Sequence, residues 1–506
     1  MIAPTIRHRN AARGRDDRPP PRALDLRELR RGSLKRLWRE GGALVAIVSV
    51  VALASLPAIV AVVRTIPLRV SLAANEGWNA YHAVDAFGGG LYPRQPPFFF
   101  NNYPPLSFYL VGAASRWIGD PIVAGRLVAS LAFAMLVAIA YVASRQMQCA
   151  RSESAFAAAL FLAATLSLSH YVGIDDPQFL SQAVAAAGLL FVIPAPRTMR
   201  RLCVAAMLMS TAVFIKHNTV ALPIACVAWL WTHDRRAARR FAIAGISFAI
   251  VGFSLSLLLF GHGFLEGLST PRAYSFDETV RAFGRWIVRV PVFLAALLVL
   301  LRRFPDDRDV AFCTWYAGVS SVIGLVFLGG DGVDWNVMFE SNWAWCLTAA
   351  VALNRLTPQP SRARWMLAIA FALLPLVAAL LAIRSASIDP SSSRASRLAR
   401  APAFEEDIAW VAARNGPALC EDLALCFWAG KPAAVDVVNL RQHIARGSRS
   451  IDDLVRLIDG RFYSVIQIDA RRSLLDPAAR DALQRSYVPA RRGAAGVLFV
   501  PHLTYK

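Results

Sequence analysis

Blocks of apolar sequence long enough to cross a bilayer constrain this chain more than any other feature. A hydrocarbon core about 30 Å thick takes roughly 20 apolar residues of helix. A bilayer also leaves no backbone amide unpaired, so such blocks fold as helices. The pattern predicts a mainly α, polytopic membrane protein with about eleven spans. They fall at 42–63, 122–144, 153–170, 177–194, 202–216, 218–232, 241–261, 290–302, 310–328, 341–354 and 364–384. Of 506 residues, 56% are hydrophobic and 18% charged, whereas soluble domains carry about a quarter charged residues. A formal charge of +21 suggests nucleic acid in a soluble protein. Here the arginines lie between the apolar blocks and at the N-terminus, so they read as topology and no nucleic-acid partner is expected.

Residues 1–41 are basic and poor in large apolar side chains. They are expected to be a disordered cytoplasmic segment that rests on anionic lipid. The first apolar run is too long for a signal-peptide core and reads as an uncleaved span. The short loops 145–151, 197–201, 235–240, 302–308 and 355–364 all carry arginine and are expected inside. An odd span count then puts the C-terminus on the opposite, periplasmic side of a bacterial inner (plasma) membrane. The stretch 202–232 is tight for two spans. It requires short, tilted or re-entrant helices, allowed only where they are buried in protein or line a cavity. The expected units are a transmembrane domain over 42–385, with a large first outer loop at 64–121, and a small α/β domain over 386–506. In that tail, helices are expected at 404–414 and 451–458, and strands near 418–419, 464–468 and 496–500. Cys420 and Cys426 lie in the tail, on the oxidising side. Free thiols are expected there, because a bond needs Cα atoms within about 7 Å.

The most informative stretch is the outer loop that begins Asn75, Glu76, Gly77, Trp78, Asn79, Ala80, Tyr81, His82. Trp78, Tyr81, Val84 and Phe87 recur every three residues and predict an amphipathic helix along the interface, opened by Glu76 and ended by Gly88 to Gly90. His82 is expected to be an interfacial side chain of that helix. The segment Asn102-Tyr103-Pro104-Pro105-Leu106 predicts an extended entry to a second interfacial helix. Gly119 and Gly125-Arg126 then lead into the second span. Charges near spans are costly, so Lys216 beside His217 is a candidate site. Asp175 and Asp176 before Pro177 read equally as helix-start residues or as site carboxylates.

These residues, in this order, resemble the GT-C glycosyltransferases, within the group of protein O-mannosyltransferases and lipid A aminoarabinose transferases. The resemblance covers roughly 42–385 and includes Lys216-His217-Asn218 and the late loop Gly330-Asp331-Gly332-Val333-Asp334-Trp335-Asn336. It implies a transferase that takes a hexosyl or pentosyl group from a polyprenyl-phosphate donor to a lipid, glycan or protein acceptor on the outer face. One position departs: the family usually has Asp-Glu where this chain has Asn75-Glu76. Either Glu76 serves as base, or the base lies elsewhere, or the chain is inactive. The candidate catalytic residues are Glu76, Asp175 and Asp176. The candidate donor-phosphate cations are Lys216, His217 and Arg126. Asn75, Trp78, Tyr81, Tyr103, Asp331 and Asp334 are expected to line the substrate. The sequence has no metal-ligand spacing and leaves a divalent cation open. The rival readings are a lipid or polysaccharide transporter or flippase, and a non-catalytic membrane scaffold.

Overall fold

The computed structural model describes residues 26–92, 98–168, 170–270, 272–359, 361–388, 394–470 and 473–502. The helices that build the bundle are α1 (Leu26–Thr65), α2 (Glu76–Gly88), α3 (Leu106–Ile118), α4 (Pro121–Gln146), α5 (Arg151–Leu166), α6 (Gln178–Val192), α7 (Met199–Ile215) and α8 (Ala221–His233). They continue with α9 (Arg235–Phe260), α10 (His262–Leu268), α11 (Phe276–Ile287), α12 (Pro291–Arg303), α13 (Arg308–Phe327), α14 (Phe339–Leu356) and α15 (Arg362–Ile388). The tail carries α16 (Arg394–Ala412), β1 (Ala418–Cys420), α17 (Leu423–Trp428), α18 (Val437–Ala445), α19 (Asp452–Asp459), β2 (Val465–Ile468), α20 (Pro477–Ser486), β3 (Tyr487–Gly493) and β4 (Gly496–Pro501).

Local chemistry sets these ends. Asp120 caps α4 by accepting from Ile122 and Val123 N–H, with Pro121 at the first helical position. Gly89 and Gly119 end α2 and α3 at φ 81° and 91°, a left-handed turn that glycine adopts without a Cβ clash.

Each of the eleven expected spans falls on a helix, but length and composition qualify fewer. Four described helices are long and apolar enough to cross a membrane: 44–65, α4, α9 and α13. The pair α11 and α12, bent by 76°, adds a fifth if it counts as one broken span. Of the others, α15 has 27 residues, but α5, α6, α7 and α8 are short for a hydrocarbon core about 30 Å thick. Thus α8 has 13 residues and α6 has 15. They survive as short helices because their flanks are buried in protein: Lys216 and Thr219, between α7 and α8, are 3% and 0% exposed. By contrast, α9 presents Ile243, Ile246, Ile250, Val251, Leu255 and Leu258 outward, as a lipid-facing helix does. The centre of the bundle is α14, where Trp343 and most residues from Ala344 to Leu353 are buried.

The arginine-bearing segments lie at the junctions α4–α5, α6–α7, α8–α9, α12–α13 and α14–α15, with 235–240 forming the first turns of α9. Ion pairs link the last of these junctions to α12–α13 and to the start of α5. Arg355 binds Asp307 and Asp309, each at 2.8 Å, and Arg364 binds Glu153. Two expectations about the N-terminal half change. Residues 26–41, expected to be unfolded, are the start of α1, rich in helix-favouring Leu, Arg, Glu and Lys; residues 1–25 lie outside the described residues. The stripe on α2 is not one face. Trp78 and Tyr81 are buried, while Val84 and Phe87 are exposed. A three-residue period falls back about 60° per step on a helix of 3.6 residues per turn, so Phe87 ends half a turn from Trp78.

The tail forms a four-stranded sheet of order β1-β2-β4-β3, with β1 and β2 parallel and the other pairs antiparallel. The helices and strands expected there are present as α16, α19, β1, β2 and β4; α17, α18, α20 and β3 were not foreseen. Cys420 and Cys426 are bonded, with Cα atoms 6.0 Å apart. The six-residue helix α17 brings Cys426 back toward the end of β1. The tail is also tied to the first outer loop. Phe98 is buried among Leu419, Val435 and Ile466, and its carbonyl accepts from Asp436 N–H.

Candidate functional site

At the end of the bundle opposite the arginine loops, five backbone segments converge: the exit of α1, the start of α2, the entry to α3, the loop 171–177 and the α7–α8 turn. Two ion pairs organise them. The first joins Glu76, at the start of α2, to Arg126, in the second turn of α4. Arg126 donates from Nε to Oε1 at 2.7 Å and from Nη2 to Oε2 at 2.6 Å. Its remaining donors go to the carbonyls of Thr65, Ile66, Leu68 and Val70, which end α1 and the segment after it. Both side chains are fully buried. Glu76 also accepts from Leu72 N–H at 2.8 Å and Asp175 N–H at 3.1 Å. Burial opposes its charge, but Arg126 and these donors outweigh it and hold the carboxyl below its ordinary range. Every donor of Arg126 is taken within the protein, and Glu76 does not line the pocket beside it. This does not suit Arg126 to a donor phosphate or Glu76 to collecting a proton, the roles expected of them.

The second pair is Lys216 Nζ to Asp176 Oδ1, at 2.8 Å. Asp176 also accepts from Asn75 Nδ2 at 3.0 Å and Gln178 N–H at 2.8 Å. Its side chain is 10% exposed and lines the pocket. Asn75, where the resemblance leads one to expect a carboxylate, is a donor that holds this one. Lys216 lies 5.3 Å from the centre of the Tyr103 ring, which is 6.0 Å from His217 and 5.1 Å from Trp78. Lys216, Tyr103, His217, Asn75 and Asp176 are thus one neighbourhood.

Asp175 faces inward, 3% exposed. Burial, together with Glu76 and Asp176 nearby, raises its carboxyl well above the usual range. Its carboxylate lies over Gly125, where an added methyl would sit 2.0 Å from Oδ1. The glycine of the Gly-Arg pair is therefore what lets Asp175 pack on α4.

The remaining expected residues sit further out. Trp78 Nε1 donates to Phe100 carbonyl at 3.0 Å, and Tyr81 hydroxyl donates to Lys431 carbonyl at 2.7 Å. His82, expected at the interface, is buried with Nε2 3.1 Å from Phe100 oxygen. Asp331 binds Arg441 at 3.1 Å and Gln442 on α18, and Asp334 caps Trp335 N–H at 2.7 Å. Neither lines the pocket. Among the described residues no group of three His, Cys, Asp or Glu is placed to hold a metal.

Several site neighbours carry no local sequence signal. Asn79 and Ser107 line the pocket with Asp175 and Asp176. Arg397 of α16 donates to Ser71 carbonyl at 2.7 Å, and Trp428 donates to Asp120 at 2.9 Å. A mostly apolar cavity of about 180 Å³ is lined by residues including Trp286, Phe293, Trp335 and Phe339. Phe339 stacks on Phe179, three residues beyond Asp176, at 5.1 Å.

No family model matches the chain, and no curated protein matches it. Two crystal structures of ArnT from Cupriavidus metallidurans do. The apo form aligns with a TM-score of 0.62 at 15% identity, over 90% of this chain and 98% of that one. The form bound to undecaprenyl phosphate gives 0.60 at 16%, over 89% and 98%. An Archaeoglobus fulgidus oligosaccharyltransferase is more distant, at 0.46 and 10% over 77% and 61%. The chain is a polytopic helical membrane protein with the GT-C fold of ArnT, carried through to the small α/β domain at its C-terminal end.

Proposed function

We propose that this chain is a membrane glycosyltransferase that moves a hexosyl or pentosyl group from a polyprenyl-phosphate donor to a lipid, glycan or protein acceptor. The reading places it in a bacterial inner membrane with the N-terminus cytoplasmic, and with the site and the 386–506 domain on the periplasmic face. The observation that carries it is the partly open Asp176–Lys216 pair beside a pocket at one end of a GT-C bundle. The ArnT relative is seen with undecaprenyl phosphate bound.

In this reading an acceptor nucleophile attacks the anomeric carbon as the bond from that carbon to the phosphate oxygen breaks. Polyprenyl phosphate leaves with the electron pair, and the anomeric centre inverts. The acceptor proton passes to the Asp176 carboxylate, which Lys216 and Asn75 hold in place. Lys216 and His217 face the departing phosphate. The apolar cavity beside Phe339 suits part of the lipid chain. Glu76 and Arg126 take a positioning role in place of base and phosphate clamp. They fix the exit of α1, the start of α2 and the backbone of Asp175 in one frame.

Purified protein in lipid nanodiscs, given labelled polyprenyl-phosphate sugars, tests this. Sugar release or transfer supports it. Movement of intact labelled lipid across a vesicle, without bond cleavage, supports the flippase instead. Neither activity leaves the scaffold.

A further inference from the structure

Three polar atoms in the pocket beside Asp176 have no hydrogen-bond partner among the described residues: Asn79 Oδ1, Ser107 Oγ and Asp175 Oδ2. Each belongs to a side chain that is 3% exposed. Buried polar atoms in folded proteins are paired, so three orphans in one pocket call for a ligand. The groups are held from behind. Asn79 Nδ2 donates to the Asp175 carbonyl, which fixes the amide so that its oxygen is the free end. The Asp175 N–H is bound by Glu76, and its carboxyl rests on Gly125. Ser107 is in the first turn of α3, behind Pro104 and Pro105. The rest of the lining includes Phe108, Val111 and Leu180, and the space takes a single water-sized group.

The chemistry of the three atoms selects the occupant. Asn79 Oδ1 accepts only, and Ser107 Oγ both donates and accepts. Burial pushes the Asp175 carboxyl upward, toward the protonated form that donates. A phosphate needs several donors and finds too few. A cation finds a single carboxyl oxygen among the three atoms, one whose charge burial opposes, and no cluster of three ligands among the described residues. A hydroxyl donates to Asn79 and accepts from the other two.

We propose that this pocket is a hydroxyl-binding subsite, in which one sugar hydroxyl of donor or acceptor seats between Asn79, Ser107 and Asp175 and sets the sugar against Asp176. The proposal rests on the transferase reading above. Ser107→Ala tests it, because it removes one atom that bonds nothing else among the described residues. The full chain in nanodiscs is assayed with polyprenyl-phosphate sugars for transfer and for hydrolysis by water. Ser107→Ala should raise KM about tenfold, as loss of one hydrogen bond does. A donor deoxygenated at the matching carbon should lose the same factor with the wild type and nothing further with the variant. Loss in both hydrolysis and transfer assigns the hydroxyl to the donor, and loss in transfer alone assigns it to the acceptor. Wild-type kinetics in Ser107→Ala, with an equal or higher unfolding temperature, would mean that the pocket holds water only and would overturn the subsite. A wild type silent on every donor would overturn the transferase reading, and the subsite with it.

Discussion

The two ion pairs at the site end of the bundle are made from the same kinds of group but are built differently. Glu76–Arg126 is sealed, with 0% exposure on both sides and the whole guanidinium spent on Glu76 and four carbonyls. Lys216–Asp176 is left ajar at 4% and 10%, against an aromatic ring and beside a pocket. A saturated buried pair fixes backbone, and removing one member strands a charge. A pair with access to a cavity keeps a charge available for chemistry. The contrast separates frame from reagent where charge type alone does not.

The sharpest way to break that contrast is Asp176→Asn. It keeps the shape and the acceptor for Gln178 N–H but removes the charge. Transfer should fall by about a hundred- to ten-thousandfold, with the fold intact by gel filtration. Near-normal transfer would remove Asp176 from the reaction and return the role to Glu76. The converse is Glu76→Gln, which leaves the Arg126 charge buried without its counter-ion. It should cost about 3–5 kcal/mol of stability, seen as lost folded yield and a lower unfolding temperature. A Glu76→Gln protein as stable as the wild type but inactive would exchange the two roles.

Asn75→Asp puts a second carboxylate beside Asp176 in place of a donor. Like charges raise each other's pKa, so the acid limb of the pH–rate profile should move up by about one unit. Higher activity with an unmoved limb would mean that Asn75 is a defect rather than a partner. The sequence could not choose between these, because Asn75 meets Asp176 only across 101 residues.

A smaller effect comes from Asp175. Its folded pKa is raised, so the folded chain holds a proton that the unfolded chain releases. Stability should therefore decline as pH climbs from the ordinary aspartate range through the raised value. Asp175→Asn should flatten that slope in thermal scans; an unchanged slope would assign it to other groups. The least of the effects is at the disulfide, where Cys420→Ser with Cys426→Ser should cost about 2 kcal/mol. Because an added Cβ on Gly77 would lie 2.1 Å from Ala424 N, the disulfide loop presses on the start of α2. Faster amide exchange over α2 in the double variant checks this.

The span helices, and the end of the bundle where the charged loop residues gather, were legible in the sequence, while the start of α1 and the helices α17, α18 and α20 were not. Apolar length and the arginine loops depend on local composition, and the bilayer enforces both. The sequence also brought Glu76, Asp175, Asp176, Lys216 and Arg126 into view as charges beside spans. Tertiary structure decided what each charge does. Whether Arg126 is free or saturated depends on carbonyls 56 to 61 residues earlier in the chain. Whether α2 lies on lipid or under protein depends on α17, more than 300 residues on, and Trp78 and Tyr81 are buried there while Val84 is not. Asn79 and Ser107 carry no pattern of their own, since one amide or hydroxyl is a site only when folding withholds its partner. Burial and hydrogen-bond saturation are properties of long-range packing, and a local pattern of residue types does not contain them.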